Sequence, residues 1–314
     1  GRGWCGTMKF YMAPMEGLTG YVFRSAYQRH FHNIDRYFTP FINNAKMNHR
    51  EVADILPEHN AGMEVIPQIL TNRVEDFVAV SKALAEYGYE EVNLNLGCPS
   101  GTVVSKGRGS GFLAMPEELD RFLDSIFSRC PLKISIKTRI GKLDAADWEE
   151  LLAIYEKYPM TELIIHPRIQ RDFYKNTPDM EAFAKAEEMS SHPLCYNGDV
   201  FSVEDYERVT KRFPSVERMM LGRGILMNPG LIDEINGKEG VNAKELRAFH
   251  DEVMEGYLAV MSGERNTLFR MKELWSYLGE RFPDGEKALK RLRKATGIPE
   301  YQAAVSEVLQ SGLK

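Results

Sequence analysis

No stretch of this 314-residue sequence stays apolar for the ~18 residues that a membrane-spanning helix needs. No charged start leads into a long apolar segment either, so neither secretion nor an anchor is indicated. Cysteine is scarce: Cys5, Cys98, Cys130 and Cys195 lack the close pairs of a zinc, iron–sulfur or thioredoxin-like site. A reducing cytoplasm fits that usage, and no metal is expected. Walker and Rossmann glycine signatures are missing as well. Residues 1–7, ahead of Met8, look like a remnant of recombinant expression and are set aside from fold reasoning.

What the chain does have is apolar material for one large core and a small second unit, at 43% hydrophobic and 27% charged residues. Its most informative stretch is Glu91 to Ser100, where Val92, Leu94 and Leu96 alternate with Asn93 and Asn95. Gly97 and Pro99 stop that strand, so Cys98 opens a glycine-rich loop carrying Lys106 and Arg108. A lone cysteine in an apolar stretch is commonly buried filler. Here seven other short β-like runs also end in polar or glycine-bearing tips: 8–14, 34–41, 64–70, 133–139, 162–168, 194–200 and 218–224. Amphipathic stretches at 74–87, 116–128, 148–158 and 203–213 read as intervening helices. This alternation predicts an α/β fold, a (β/α)8 TIM barrel with its active site at the C-terminal strand ends, and leaves a doubly wound open sheet as the alternative.

The tips suggest chemistry. Gln68 can donate and accept toward a heterocycle. Lys137 can stabilise an anion at the barrel mouth, and His166 with Arg168 offers paired donors suited to a phosphate. Asn197-Gly198-Asp199 and Gly222-Arg223-Gly224 fall after the seventh and eighth strands, where barrels commonly hold phosphate with backbone amides. Together with the proline-flanked first strand tip, these features suit FMN, with Lys137 compensating the reduced ring. Cys130 and Cys195 read as packing residues.

At this point the residues carry a resemblance. Ala-Pro-Met-Glu-Gly at 13–17, Asn-Leu-Gly-Cys-Pro-Ser at 95–100, Ile-Lys-Thr-Arg at 136–139, Asn-Gly-Asp at 197–199 and Gly-Arg-Gly at 222–224 resemble the tRNA-dihydrouridine synthases, the FMN-dependent Dus family. The match runs from Met8 almost to the C-terminus. It implies that Pro14, Met15 and Glu16 line the flavin, that Gln68 and Lys137 contact its ring, and that His166 with the 197–199 and 222–224 loops holds its phosphate. It also implies Cys98 as catalytic acid and NADPH as electron donor. The chain departs from the family pattern at His166-Pro167-Arg168, usually His-Gly-Arg, and at Gly109-Ser110, usually Gly-Ala. The sequence at 99–103 is closest to the DusC-type subgroup, which suggests uridine 16 of the D-loop as target.

Composition shifts at Asn236 to Gly240, a hinge, and everything beyond reads as helix: 243–261, 267–281, 285–294 and 298–309. The expected organisation is a catalytic barrel at 8–236 followed by a helical tRNA-binding domain at 241–314. Residues 264–294 hold nine Lys or Arg against five acids, a local +4 in a chain of net charge −5. The resemblance assigns the tRNA grip to Arg270, Lys272 and Tyr277, and charge clustering adds Lys287, Lys290, Arg291, Arg293 and Lys294. Asn95 is read as a uracil contact, with Lys106, Arg108, Arg139 and Arg168 facing substrate or RNA. The implied reaction is reduction of a flipped uridine to 5,6-dihydrouridine by a cytoplasmic monomer. Two alternatives stay open: an FMN barrel acting on a free dihydropyrimidine or dihydroorotate, and a tRNA-binding protein with a vestigial flavin site.

Overall fold

A computed structural model describes residues 7–314. Cys5 and, apart from Thr7, the segment read as an expression remnant lie outside the described residues. Strands run β1 (Lys9–Met12), β2 (Arg36–Phe38), β3 (Val65–Ile66), β4 (Gln68–Ile69), β5 (Glu91–Leu96), β6 (Lys133–Thr138), β7 (Leu163–Ile165), β8 (Leu194–Asn197) and β9 (Arg218–Leu221). The helices are α1 (Tyr21–Phe31), α2 (His49–Ile55), α3 (Val74–Glu86), α4 (Gly101–Val104), α5 (Pro116–Arg129), α6 (Trp148–Glu156), α7 (Met180–Met189), α8 (Val203–Arg212), α9 (Arg223–Met227), α10 (Leu231–Ile235), α11 (Ala243–Val260), α12 (Gly263–Leu278), α13 (Glu286–Lys294) and α14 (Ile298–Gln310).

The sheet order is β3-β2-β1-β9-β8-β7-β6-β5-β4, with parallel registers. Its two ends are halves of one strand. Pro67 has no N–H to give to a ladder, so the segment divides there: Val65 and Ile66 pair with β2, and Gln68 and Ile69 pair with β5. The ring therefore closes with eight strand positions, the TIM barrel expected from the alternation, and a helical C-terminal region follows it. Strand β5 explains itself. Five of its six residues are buried because both faces are covered. The apolar set packs outward while Asn93 and Asn95 find amide and hydroxyl partners on neighbouring strands.

The described chain packs as two compact units. The first contains residues up to Pro14, 35–199 and 209–220. Tyr11, Ala13, Phe38, Ile66, Ile164, Cys195 and Met220 form one apolar cluster of its core, which gives Cys195 the packing role read from its position. At the N-terminal strand ends Arg36 pairs with Glu64, Glu91 and Glu162 at 2.7, 3.1 and 3.2 Å. Tyr11 donates to Glu162 at 2.7 Å. That charge cluster serves the barrel's integrity, since barrel chemistry belongs to the opposite rim.

The second unit contains 15–34, 200–208 and 221–314. Phe23, Tyr27 and Phe31 of α1 surround Phe249 of α11 with ring centroids 5.6, 6.3 and 5.4 Å away. An Asn242–Glu245 capping box starts α11. Helix α12 begins at Gly263, four residues before the expected Thr267, because its first turn is polar and exposed and so leaves no apolar period to read. Among the described residues no helix is long and apolar enough to cross a membrane.

Candidate active site

Within the barrel unit the polar strand tips form a connected network. Asn93 donates to Ser135 Oγ at 2.9 Å, Gln68 donates to Asn93 Oδ1 at 2.9 Å, and Asn95 donates to Gln68 Oε1 at 3.0 Å. The Asn95 oxygen in turn accepts the Gly97 and Cys98 N–H groups, each at 2.9 Å. One side-chain carbonyl thus terminates β5 and fixes the peptide entering Cys98. Asn95, read from sequence as a uracil contact, is the link between Gln68 and the Cys98 backbone.

Lys137 is the register partner of Asn95 across β5 and β6. Burial lowers the pKa of its half-buried ammonium to about 8, helped by the nearby Arg139 charge, while the Cys98 and Cys195 thiols act in the opposite sense. A cation held against desolvation gains from an anion placed beside it. Arg139 is buried, bonds the Ile169 carbonyl at 3.0 Å and lies 5.5 Å from the Tyr174 ring centroid. Burial brings its pKa down to about 10.

Arg168 is only 1% exposed and forks onto Asp199 at 2.8 and 2.6 Å. Its remaining N–H groups reach the Lys175 carbonyl at 3.0 Å, the Asn176 carbonyl at 2.6 Å and His166 Nε2 at 2.9 Å. All five guanidinium donors are therefore engaged inside the barrel unit. Because a guanidinium only donates, His166 Nε2 must accept, and the neutral ring carries its proton on Nδ1. The half-exposed Tyr174 stacks on that ring, with centroids 6.0 Å apart. Sequence reasoning missed Tyr174, which follows Phe173 in a loop without periodicity. Asn197 donates to the Met220 carbonyl at 3.1 Å, and a Cβ on Gly198 would come within 2.5 Å of the Tyr196 hydroxyl. Pro14 is half-buried, Lys106 is exposed, and Arg108 is half-buried in the Cys98 loop.

In the second unit, Met15 opens a turn whose N–H bonds Thr19 Oγ1 at 2.8 Å, and Glu16 is exposed. Gly17 sits at φ +75°, and Arg270 donates to its carbonyl at 3.0 Å. Any Cβ there would lie 2.3 Å from the Arg270 guanidinium, which accounts for glycine at this place. Gly222 precedes α9, Arg223 lies over the Phe201 ring at 5.1 Å, and a Cβ on Gly224 would strike the Val200 carbonyl at 2.2 Å. Lys272 donates to the Ala295 carbonyl at 2.5 Å, and Tyr277 is half-buried. On α13, Ala288, Leu289 and Leu292 face inward, whereas Lys287, Lys290, Arg291, Arg293 and Lys294 are exposed; Arg291 pairs with Glu307.

A family model described as dihydrouridine synthase (Dus) matches residues 11–296. A Bacillus subtilis protein named probable tRNA-dihydrouridine synthase 2 is 27% identical over 257 residues, covering 77% of this chain and 78% of its own. A Staphylococcus epidermidis probable tRNA-dihydrouridine synthase is 28% identical over 229 residues, 70% of this chain and 69% of its own. Among solved structures, morphinone reductase superposes with TM-score 0.54 at 12% identity, over 75% of this chain and 87% of its own. The old yellow enzyme from Trypanosoma cruzi does so with TM-score 0.51 at 10% identity, over 81% and 94%. At such identities these two structures speak for the barrel fold alone.

Proposed function

This chain belongs to the dihydrouridine synthase family, and we propose that it reduces a D-loop uridine of tRNA to 5,6-dihydrouridine with FMN, NADPH and Cys98 as general acid. The observation that carries this reading is the register of Asn95 with Lys137, with Cys98 three residues further along the chain. That register puts a cation and an acid at adjoining strand tips on the catalytic rim of a barrel.

The residues fit a flavin on chemical grounds. Lys137 is a half-buried cation whose burial favours an anionic neighbour, and Gln68 offers an amide already oriented by Asn93 and Asn95. His166, proton on Nδ1, suits a phosphate oxygen, with Arg168 and Asp199 holding its ring in place rather than meeting RNA. The 197–199 and 222–224 loops and the Pro14-Met15-Glu16 turn complete the assignment. FMN held there would supply the hydride equivalent for C6 of the uracil, with NADPH as the source of its electrons. Cys98 then gives its proton to C5, so the thiol must be protonated when substrate arrives. Asn95 orients the acid through its backbone. Lys106 and Arg108 approach the RNA around the target base, whereas Arg139, buried against the Ile169 carbonyl and the Tyr174 ring, supports the site wall.

The helical segment 241–314 grips tRNA, through Arg270, Lys272 and Tyr277 together with the exposed cations of α13. Phosphate contacts depend on local charge, so a chain of net −5 can bind RNA through this segment. The protein works as a cytoplasmic monomer, and position 16 is the uridine favoured by the 99–103 sequence. Incubation of flavin-loaded protein with NADPH and unmodified tRNA, followed by mass mapping, tests the reading. Dihydrouridine at one D-loop position is expected; turnover of free uracil or dihydroorotate with intact tRNA left unchanged would overturn it.

A further inference from the structure

We propose that Ser110 is a positioning residue that fixes the Cys98 acid loop, an inference resting on the role assigned to Cys98 above. Ser110 is fully buried twelve residues beyond the cysteine. Its backbone N–H and its hydroxyl both donate to the Cys98 carbonyl, at 3.1 and 2.9 Å. On the other side of the same residue, Asn95 Oδ1 accepts the Cys98 N–H at 2.9 Å. The peptide groups flanking the Cys98 Cα are therefore both tied down, which fixes the direction in which the Cα–Cβ bond leaves the backbone.

Two neighbours make the clamp possible. Gly109 adopts φ +55°, and a Cβ on it would lie 2.7 Å from the Cys98 carbonyl oxygen, so only glycine lets Ser110 come this close. Gln170 donates to the Pro99 carbonyl at 3.0 Å, holding the next peptide from the loop after β7. Alanine would keep the N–H bond and leave no carbonyl orphaned, so Ser110→Ala removes half of the clamp without a buried unsatisfied group.

An acid that must meet C5 at hydrogen-bond reach is sensitive to such loosening. The experiment compares wild type and Ser110→Ala by two readouts. In cofactor-free protein, iodoacetamide alkylation of Cys98, followed by peptide mass mapping, should be about three- to tenfold faster in the variant, the range spanned by losing one neutral hydrogen bond. In flavin-loaded protein, tRNA reduction should slow by a similar factor, while flavin content and flavin reduction by NADPH match wild type. Wild-type behaviour in either readout overturns the proposal. Cys98→Ala run alongside separates the two ideas. If that variant makes dihydrouridine at full rate, the acid assignment falls, whereas an inactive Cys98→Ala beside an unaffected Ser110→Ala removes only the clamp.

Discussion

Replacing Asp199 by asparagine should destabilise the barrel unit without weakening RNA binding. Arg168 is 1% exposed, and its charge is balanced through the two-point contact with Asp199 at 2.8 and 2.6 Å. Removing one partner of a buried pair costs about 3–5 kcal/mol, mainly because the other charge stays buried. Asp199 is itself 28% exposed, so water relieves part of that penalty. The lower figure of about 2–3 kcal/mol is therefore expected. For a unit of this size each kcal/mol moves Tm by roughly 2–4 °C, giving a drop of about 4–12 °C. Circular dichroism melts of the cofactor-free chain measure it, read as the transition of the barrel unit rather than as one two-state event. A Tm within about 1 °C of wild type would refute the argument that Asp199 neutralises a buried charge. Tighter tRNA binding in Asp199→Asn would refute the internal role of Arg168, because a guanidinium released from its carboxylate would then be meeting phosphate.

Cys98→Ala should leave flavin reduction by NADPH unchanged and lower tRNA turnover by about 10²–10⁴-fold, measured under single-turnover conditions. Lys137, at about 8, is charged below that pH and neutral above it. Affinity of cofactor-free protein for reduced FMN should then fall by up to about tenfold per pH unit above that point, in anaerobic titrations, and Lys137→Met should abolish the dependence. Bound anion shifts this midpoint upward, never downward, so weakening that begins well below pH 8 would contradict the assignment. Converting Lys287, Lys290 and Arg293 of α13 to glutamine should weaken tRNA binding and flatten its log-salt slope by about 0.7–0.9 per lost contact, with flavin reduction intact.

How far each part was legible in the sequence follows from the range of the interaction that decides it. Strand β5 announced itself because side-chain alternation and the Gly97-Pro99 stop are local, and so did the helices after Ala243, whose apolar faces repeat every turn. The division of one strand at Pro67 needed only the missing N–H, yet its consequence, closure of the ring, appears only when both partner strands are known. Cations were harder. Arg168 reads as an open phosphate donor until Asp199, 31 residues on, is seen to hold it. Arg270, read as an RNA contact, also donates to the carbonyl of Gly17, 253 residues away, a partner its own segment does not announce. A cation's chemistry is set by the acceptor it finds, and a distant acceptor leaves no periodic trace. Helix α13 shows the converse. Its five cations fall outside the face formed by Ala288, Leu289 and Leu292, so the same local period that buries the apolar set also fixes which charges face solvent. There the charge pattern and the exposed surface are one fact, which is why the exposed cationic face of α13 was readable from sequence while the anchoring of Arg168 and Arg270 was not.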